Sequence, residues 1–212
     1  MKGITYIYFS ATATTARCAK AIGAAMGLPI NREINIADNH TTELPFFNSE
    51  DVAIIASPVY GGRLPEQAVA TIRLLRGKGA FAVALVVYGN RDYDDALLEL
   101  TDLLKKSNFN IIGAGAFIGQ HFIFPRVADH RPDKADMAVL AEFGKTCRER
   151  LEAGLPFAQI DVKGAFPYKK PTGVPLHPKC DSKLCNRCSL CADKCPVGAI
   201  SRGNPVVSDP TK

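Results

Sequence analysis

No apolar run in this 212-residue chain approaches the roughly 18–20 residues of a membrane-spanning helix. The longest candidate, Gly79–Gly89, is about half that length. The N-terminus lacks a small-residue cleavage site and carries Thr5, Tyr6 and Tyr8, so it predicts a strand rather than a signal peptide. No internal repeat is visible. No G-x-G-x-x-G follows the first strand-like run and no acidic residue ends the second in the usual place, which argues against a dinucleotide. The C-terminal quarter is basic but lacks interleaved aromatics, which argues against nucleic acid. No nucleophile or general base stands out, and the cysteines lack the distant pairings of a secreted disulfide framework.

The composition is that of a globular protein, 47% hydrophobic and 22% charged. Residues 1–159 hold 17 Lys+Arg against 17 Asp+Glu, and residues 160–212 hold 9 against 4, so the net +5 belongs to the last quarter. Five of the seven cysteines also lie there, between Cys180 and Cys195. That density points to a metal or cluster site in a reducing, cytoplasmic compartment. The chain divides into a neutral body, 1–155, a Pro/Gly/Lys-rich linker, 156–178, and a cysteine-dense segment, 179–212.

Within the body, strand-like and helix-like patterns alternate. Ile4–Phe9, Ile30–Ile36, Val52–Ser57, Ala80–Tyr88 and Phe109–Ile118 predict strands. Thr14–Met26, Pro65–Arg76, Asp94–Lys106 and Asp133–Glu152 predict helices. Asp94 and Asp95 favour the N-terminus of their helix. Five strands alternating with helices predict an α/β fold, a doubly wound parallel sheet covered on both faces.

Ligands of such sheets sit beyond the carboxyl ends of the strands. After strand one comes Ser10-Ala11-Thr12-Ala13-Thr14-Thr15, a hydroxyl-rich turn into a helix. It suits a phosphate, or simple helix capping. After strand three comes Ser57-Pro58-Val59-Tyr60-Gly61-Gly62, and after strand four Tyr88-Gly89-Asn90-Arg91-Asp92-Tyr93. Each reads alone as an ordinary turn. Together, hydroxyls for a phosphate and Gly with Tyr for a flat ring suit flavin mononucleotide (FMN).

These segments resemble the flavodoxin superfamily, whose phosphate loop follows S/T-x-T-G-x-T. The resemblance covers about residues 1–155. It implies that Ser10, Thr12, Thr14 and Thr15 hold the phosphate. It implies that Pro58, Val59, Tyr60, Gly61 and Gly62 line one ring edge, and Tyr88, Gly89, Asn90, Arg91 and Tyr93 the other. Ala13 stands in the same loop where the family usually has Gly, and is expected to keep a negative φ.

The tail reads Cys185-x2-Cys188-x2-Cys191-x3-Cys195-Pro196, thiolates spaced to wrap the corners of an iron–sulfur cubane. It matches the bacterial 4Fe-4S ferredoxin run, and zinc is the rival metal. In two-cluster ferredoxins the fourth cysteine serves the other cluster. Val206–Lys212 resembles the lead-in to a second run, so the expectation is a truncated first half, with Cys185, Cys188 and Cys191 on one cluster and Cys195 on another. Alternatively, Cys180 or Cys195 closes a single cluster.

Cys18 and Cys147 read as structural cysteines. His121, after strand five, reads as a loop histidine with a structural hydrogen bond, or as a group facing the flavin edge. Arg126 and Arg131 read as solvated. The whole resembles a flavodoxin–ferredoxin fusion. It implies an electron-transfer flavoprotein coupling FMN to 4Fe-4S, working with a redox partner protein or a small-molecule acceptor. The alternatives are an FMN-dependent reductase of a specific small molecule and a non-enzymatic anion-binding switch domain with a zinc tail.

Overall fold

The computed structural model describes residues 3–38, 43–154, 159–171, 177–202, 208 and 209. The expected boundary at 155/156, Pro156, Pro175 and the lead-in residues 206 and 207 lie outside them.

Five parallel strands, β1 (Ile4–Tyr8), β2 (Ile30–Asn35), β3 (Val52–Pro58), β4 (Phe81–Tyr88) and β5 (Asn110–Ile118), form one sheet in the order β2-β1-β3-β4-β5. This is the doubly wound order whose switch point falls between β1 and β3. The continuous apolar runs are explained by cover on both faces. Ile7, Ile55, Ala84 and Val86 pack on one side with Ile72, Leu100 and Leu104. Tyr6, Ile54, Val83 and Leu85 pack on the other with Ile22 and Leu140. Full burial of each such Ile or Leu is worth about 1.5–3 kcal/mol. β2 is an edge strand, with its first four residues exposed.

Helix α1 (Thr14–Met26) and helix α4 (Lys134–Ala153) pack together on the Tyr6 face. Helices α2 (Glu66–Ile72) and α3 (Ala96–Lys106) cover the Ile7 face. α2 ends four residues before the sequence predicts. From Leu74 onward the chain turns, which drops Leu75 into the core and leaves Leu74 exposed. Helix α5 (Leu190–Asp193) is a single turn in the tail that the sequence pattern does not announce. Among the described residues no helix is long and apolar enough to cross a membrane.

α4 and α1 start in opposite ways. Asp133 accepts from the N–H groups of Ala135 (2.8 Å) and Asp136 (3.0 Å), and Asp136 accepts from Asp133 N–H (2.8 Å), a closed capping box. Arg131 also pairs with Asp136, so it is committed rather than solvated. α1 begins with no side-chain cap and no acidic residue in its first turn. Ser10 takes one first-turn N–H, that of Ala16, and no acidic side chain of the first turn meets the positive end of the dipole.

Candidate functional site at the carboxyl edge of the sheet

Ser10 is spent on structure. Its N–H donates to Asn35 Oδ1 and its carbonyl accepts from Asn35 Nδ2, both at 3.0 Å. Its hydroxyl accepts from Ala16 N–H at 3.2 Å, so Ser10 is buried and anchors the loop from below. Thr12 and Thr14 stand outside it, with their Oγ1 atoms 3.5 Å apart. Ala13 departs from the expectation of a negative φ. It is left-handed, with φ 63°. The turn into α1 demands that conformation, and Ala takes it at a cost of about 1–2 kcal/mol.

Above this loop lies a cavity of about 420 Å³. Thr12, Thr14 and Thr15 line one end of it. Pro58, Val59 and Tyr60 after β3, and Tyr88 and Gly89 at the end of β4, line the middle. Ser10, Ala13, Asn90 and Tyr93 do not line it. Gly61, Gly62 and Arg91 line a neighbouring recess of about 80 Å³, which Val59, Tyr88 and Gly89 share. Tyr93 instead packs edge-on against Tyr88 at 5.4 Å. Asn90 makes the turn between them with φ 66°. Burial pushes the Tyr60 phenol above its ordinary pKa, so it stays a neutral aromatic wall.

The loop after β5 supplies a wall that strand-end reasoning largely missed. Gly119, Gln120, His121 and Phe122 all line the cavity. His121 Nδ1 accepts the N–H groups of Ile123 and Phe124, each at 3.2 Å, which puts the ring proton on Nε2. The imidazole stacks on Phe122 (5.9 Å, 13°), and Phe122 lies 5.2 Å from Tyr60. A Cβ on Gly89 would sit 2.6 Å from His121 Cδ2, so glycine is what lets the two loops close. His121 makes the structural hydrogen bonds expected of a loop histidine and also lines the cavity.

Residues 159–171 form a strap across the outside of the same loops. Arg63 makes a two-pronged pair with Glu99 (2.9 and 2.6 Å), and also donates to the carbonyl of Lys169 (2.7 Å). Arg63 lies 4.8 Å over the Tyr168 ring, and the Tyr168 hydroxyl donates to Asp102 (2.6 Å). Lys163 pairs with Asp92 (2.7 Å) and Lys169 with Asp94 (3.0 Å), which also pairs with Arg91. Asp95 sits at the N-cap of α3, yet its side chain does not cap the helix. It accepts from Ala165 and Lys169 of the strap instead. Asp94 and Asp95 thus stand at the start of α3 as expected, and their side chains also tether the strap.

The far wall comes from the cysteine-rich segment. Pro178, Cys191, Lys194, Cys195, Pro196 and Ile200 all line the cavity. The sulfur of Cys195 accepts from Ala199 N–H at 3.2 Å and that of Cys185 from Arg187 N–H at 3.4 Å. Such bonds stabilise thiolates and tune cluster potentials. A hydrogen bond with Cys185 is the leading cause that raises the Cys180 thiol, which sets Cys180 beside the run. Among the described residues, no three His, Cys, Asp or Glu groups converge on a point that would hold a single metal ion. The remaining two cysteines are buried, and burial pushes Cys18 up to about 11 and Cys147 up to about 12. Such thiols are inert.

Residues 181–201 match the 4Fe-4S binding domain family. No curated protein matches the chain. Among solved structures, the rubredoxin oxygen:oxidoreductase of the anaerobe Desulfovibrio gigas is 16% identical, with a TM-score of 0.52 over 72% of this chain and 37% of that one. This chain thus spans little more than a third of that protein's length. A short-chain flavodoxin associated with a non-canonical PDU bacterial microcompartment is 14% identical, with a TM-score of 0.51 over 70% of this chain and 98% of that one. An NADH:FMN oxidoreductase in its apo form is 17% identical, with a TM-score of 0.50 over 70% and 89%. The likeness is one of fold. The chain joins a flavodoxin-like doubly wound domain to a 4Fe-4S ferredoxin-type segment.

Proposed function

We propose that this protein is an electron-transfer iron–sulfur flavoprotein, with FMN in the 420 Å³ cavity and a 4Fe-4S cluster on Cys185, Cys188, Cys191 and Cys195. One observation carries the reading. A single cavity is lined both by the phosphate-type loop and aromatic residues and by Cys191 and Cys195. The volume suits one compact cofactor. The uncapped start of α1 suits its phosphate, and four soft thiolates suit iron–sulfur.

Bound FMN exchanges electrons singly or in pairs and a 4Fe-4S cluster singly, so together they link one-electron carriers to a two-electron donor or acceptor. The chain's residues bind and shield. Thr12, Thr14, Thr15 and the first N–H groups of α1 hold the phosphate. Tyr60, Tyr88 and Phe122 flank the ring and keep water from it. Gly61, Gly62 and Gly89 allow the backbone to approach the ring edge. The N–H donors of Arg187 and Ala199 stabilise charge on Cys185 and Cys195. The expected partner is a redox protein or small-molecule acceptor, and the expected location is cytoplasmic.

Anaerobic reconstitution followed by absorption spectroscopy and iron, zinc and flavin analysis tests the proposal. Flavin together with iron and labile sulfide supports it. Colourless, zinc-containing protein contradicts it. A second reading, reduction of a small aromatic molecule, has in its favour Phe122 and Phe124, which stay more than half exposed beside His121. Saturable binding of such a molecule to the flavin-loaded protein would favour it.

A further inference from the structure

We infer that Lys194, carried by the cysteine-rich segment, completes the phosphate end of the flavin cavity. The inference rests on the flavin reading above. Among the described residues, the body contributes hydroxyls and main chain to the lining, and no lysine or arginine. Among the described residues that line the cavity, Lys194 is the one lysine or arginine. It stands between Cys191 and Cys195 in sequence and lines the same cavity as Thr12, Thr14 and Thr15.

Its position is fixed from the body. Lys194 Nζ lies 2.8 Å from Asp38 Oδ1. Asp38 follows β2, and β2 pairs with β1 beside the loop that starts α1. The anchor therefore holds the ammonium at the same edge of the sheet as the uncapped helix.

Charge arithmetic shows the need. A phosphate monoester carries about 1.5 to 2 negative charges at pH 7. One helix N-terminus offers the equivalent of about half a positive charge. Threonine hydroxyls add hydrogen bonds but no charge. Lys194 brings the one ammonium of the described lining, held beside the cavity by Asp38, and a bound phosphate competes with that carboxylate for it. Because Lys194 sits inside the cysteine run, ordering that run and binding the phosphate favour each other. By linkage the coupling works in both directions.

The test compares FMN with riboflavin, which has the same ring and no phosphate, on the full chain by equilibrium fluorescence titration. Lys194→Gln is expected to weaken FMN binding about tenfold, the scale of one charge-assisted contact. Riboflavin binding is expected to stay unchanged. Lys194→Arg is expected to restore FMN affinity to within about threefold. Added salt should narrow the wild-type preference for FMN over riboflavin. Unchanged FMN affinity in Lys194→Gln overturns the inference. So does an equal loss for both flavins, which would mean that Lys194 only holds the tail in place. Wild-type chain that binds neither flavin overturns the flavin reading itself, and the role of Lys194 with it.

Discussion

The carboxylate of Asp95 accepts the N–H of Lys169 at 2.6 Å, across 74 positions of chain. Its other oxygen accepts from Ala165 at 2.9 Å. Removing Asp95 takes two charge-assisted bonds from the strap, each worth about 1.5–3 kcal/mol. In Asp95→Ala, amide exchange at Ala165 and Lys169 is expected to speed up by at least about tenfold, while β3 and β4 keep their protection. Unchanged exchange in the strap would contradict its tethering by Asp95.

Glu99 is the centre of the same network. Its side chain is 4% exposed and serves both Arg63 and the N–H of Leu64. Glu99→Ala leaves the Arg63 guanidinium partly buried without its partner. Urea denaturation is expected to show a loss of about 3–5 kcal/mol. A loss below about 1 kcal/mol, the range of a surface pair, would show that the strap network adds little.

Ala13 offers a gain. Its φ of 63° is a conformation that glycine adopts freely. Relief of about 1–2 kcal/mol exceeds the extra unfolded-state entropy of glycine, about 0.4–1 kcal/mol. Ala13→Gly is therefore expected to stabilise the protein by about 0.5–1 kcal/mol, a rise of roughly 1–4 °C in Tm. A fall in Tm would contradict the left-handed assignment.

Acid should loosen the strap. The hydrogen bond from Lys163 is the main cause that holds Asp92 down at about 2, against an unfolded value of about 4. A depressed folded pKa means that the stabilisation is present above about pH 4 and is lost as pH falls toward 2. Proteolysis within 159–171 by an acid-active protease is expected to accelerate across that window. Asp92→Asn should be more susceptible at pH 5 and show less change on acidification. A variant that keeps the full wild-type acid response would exclude Asp92 as the titrating group.

Much of the fold is legible because it is local. Val52–Ser57 reads as buried strand since both faces are covered, and Thr14–Met26 is bounded by a hydroxyl turn and Gly27. The three loops follow from the placement of strand ends. What is not legible depends on contacts far apart in sequence. Asp95 reads only as a negative charge at a helix start until the strap arrives some 70 positions later. Lys194 looks like one more basic tail residue until the fold brings it to the cavity, where it pairs with Asp38, 156 positions away. His121 is visible as a loop histidine, but its stacking on Phe122 depends on the path of the whole β5–α4 loop. Ala13 misleads because loop geometry overrides the residue's own preference.

In the proposed reading the flavin and the cluster border one cavity and exchange electrons within one chain. Flash photoreduction of the anaerobically reconstituted chain tests this. Flavin reoxidation and cluster bleaching are expected to proceed together, at a rate independent of protein concentration. Transfer whose rate rises in proportion to protein concentration, or cofactors that do not exchange electrons at all, would contradict it.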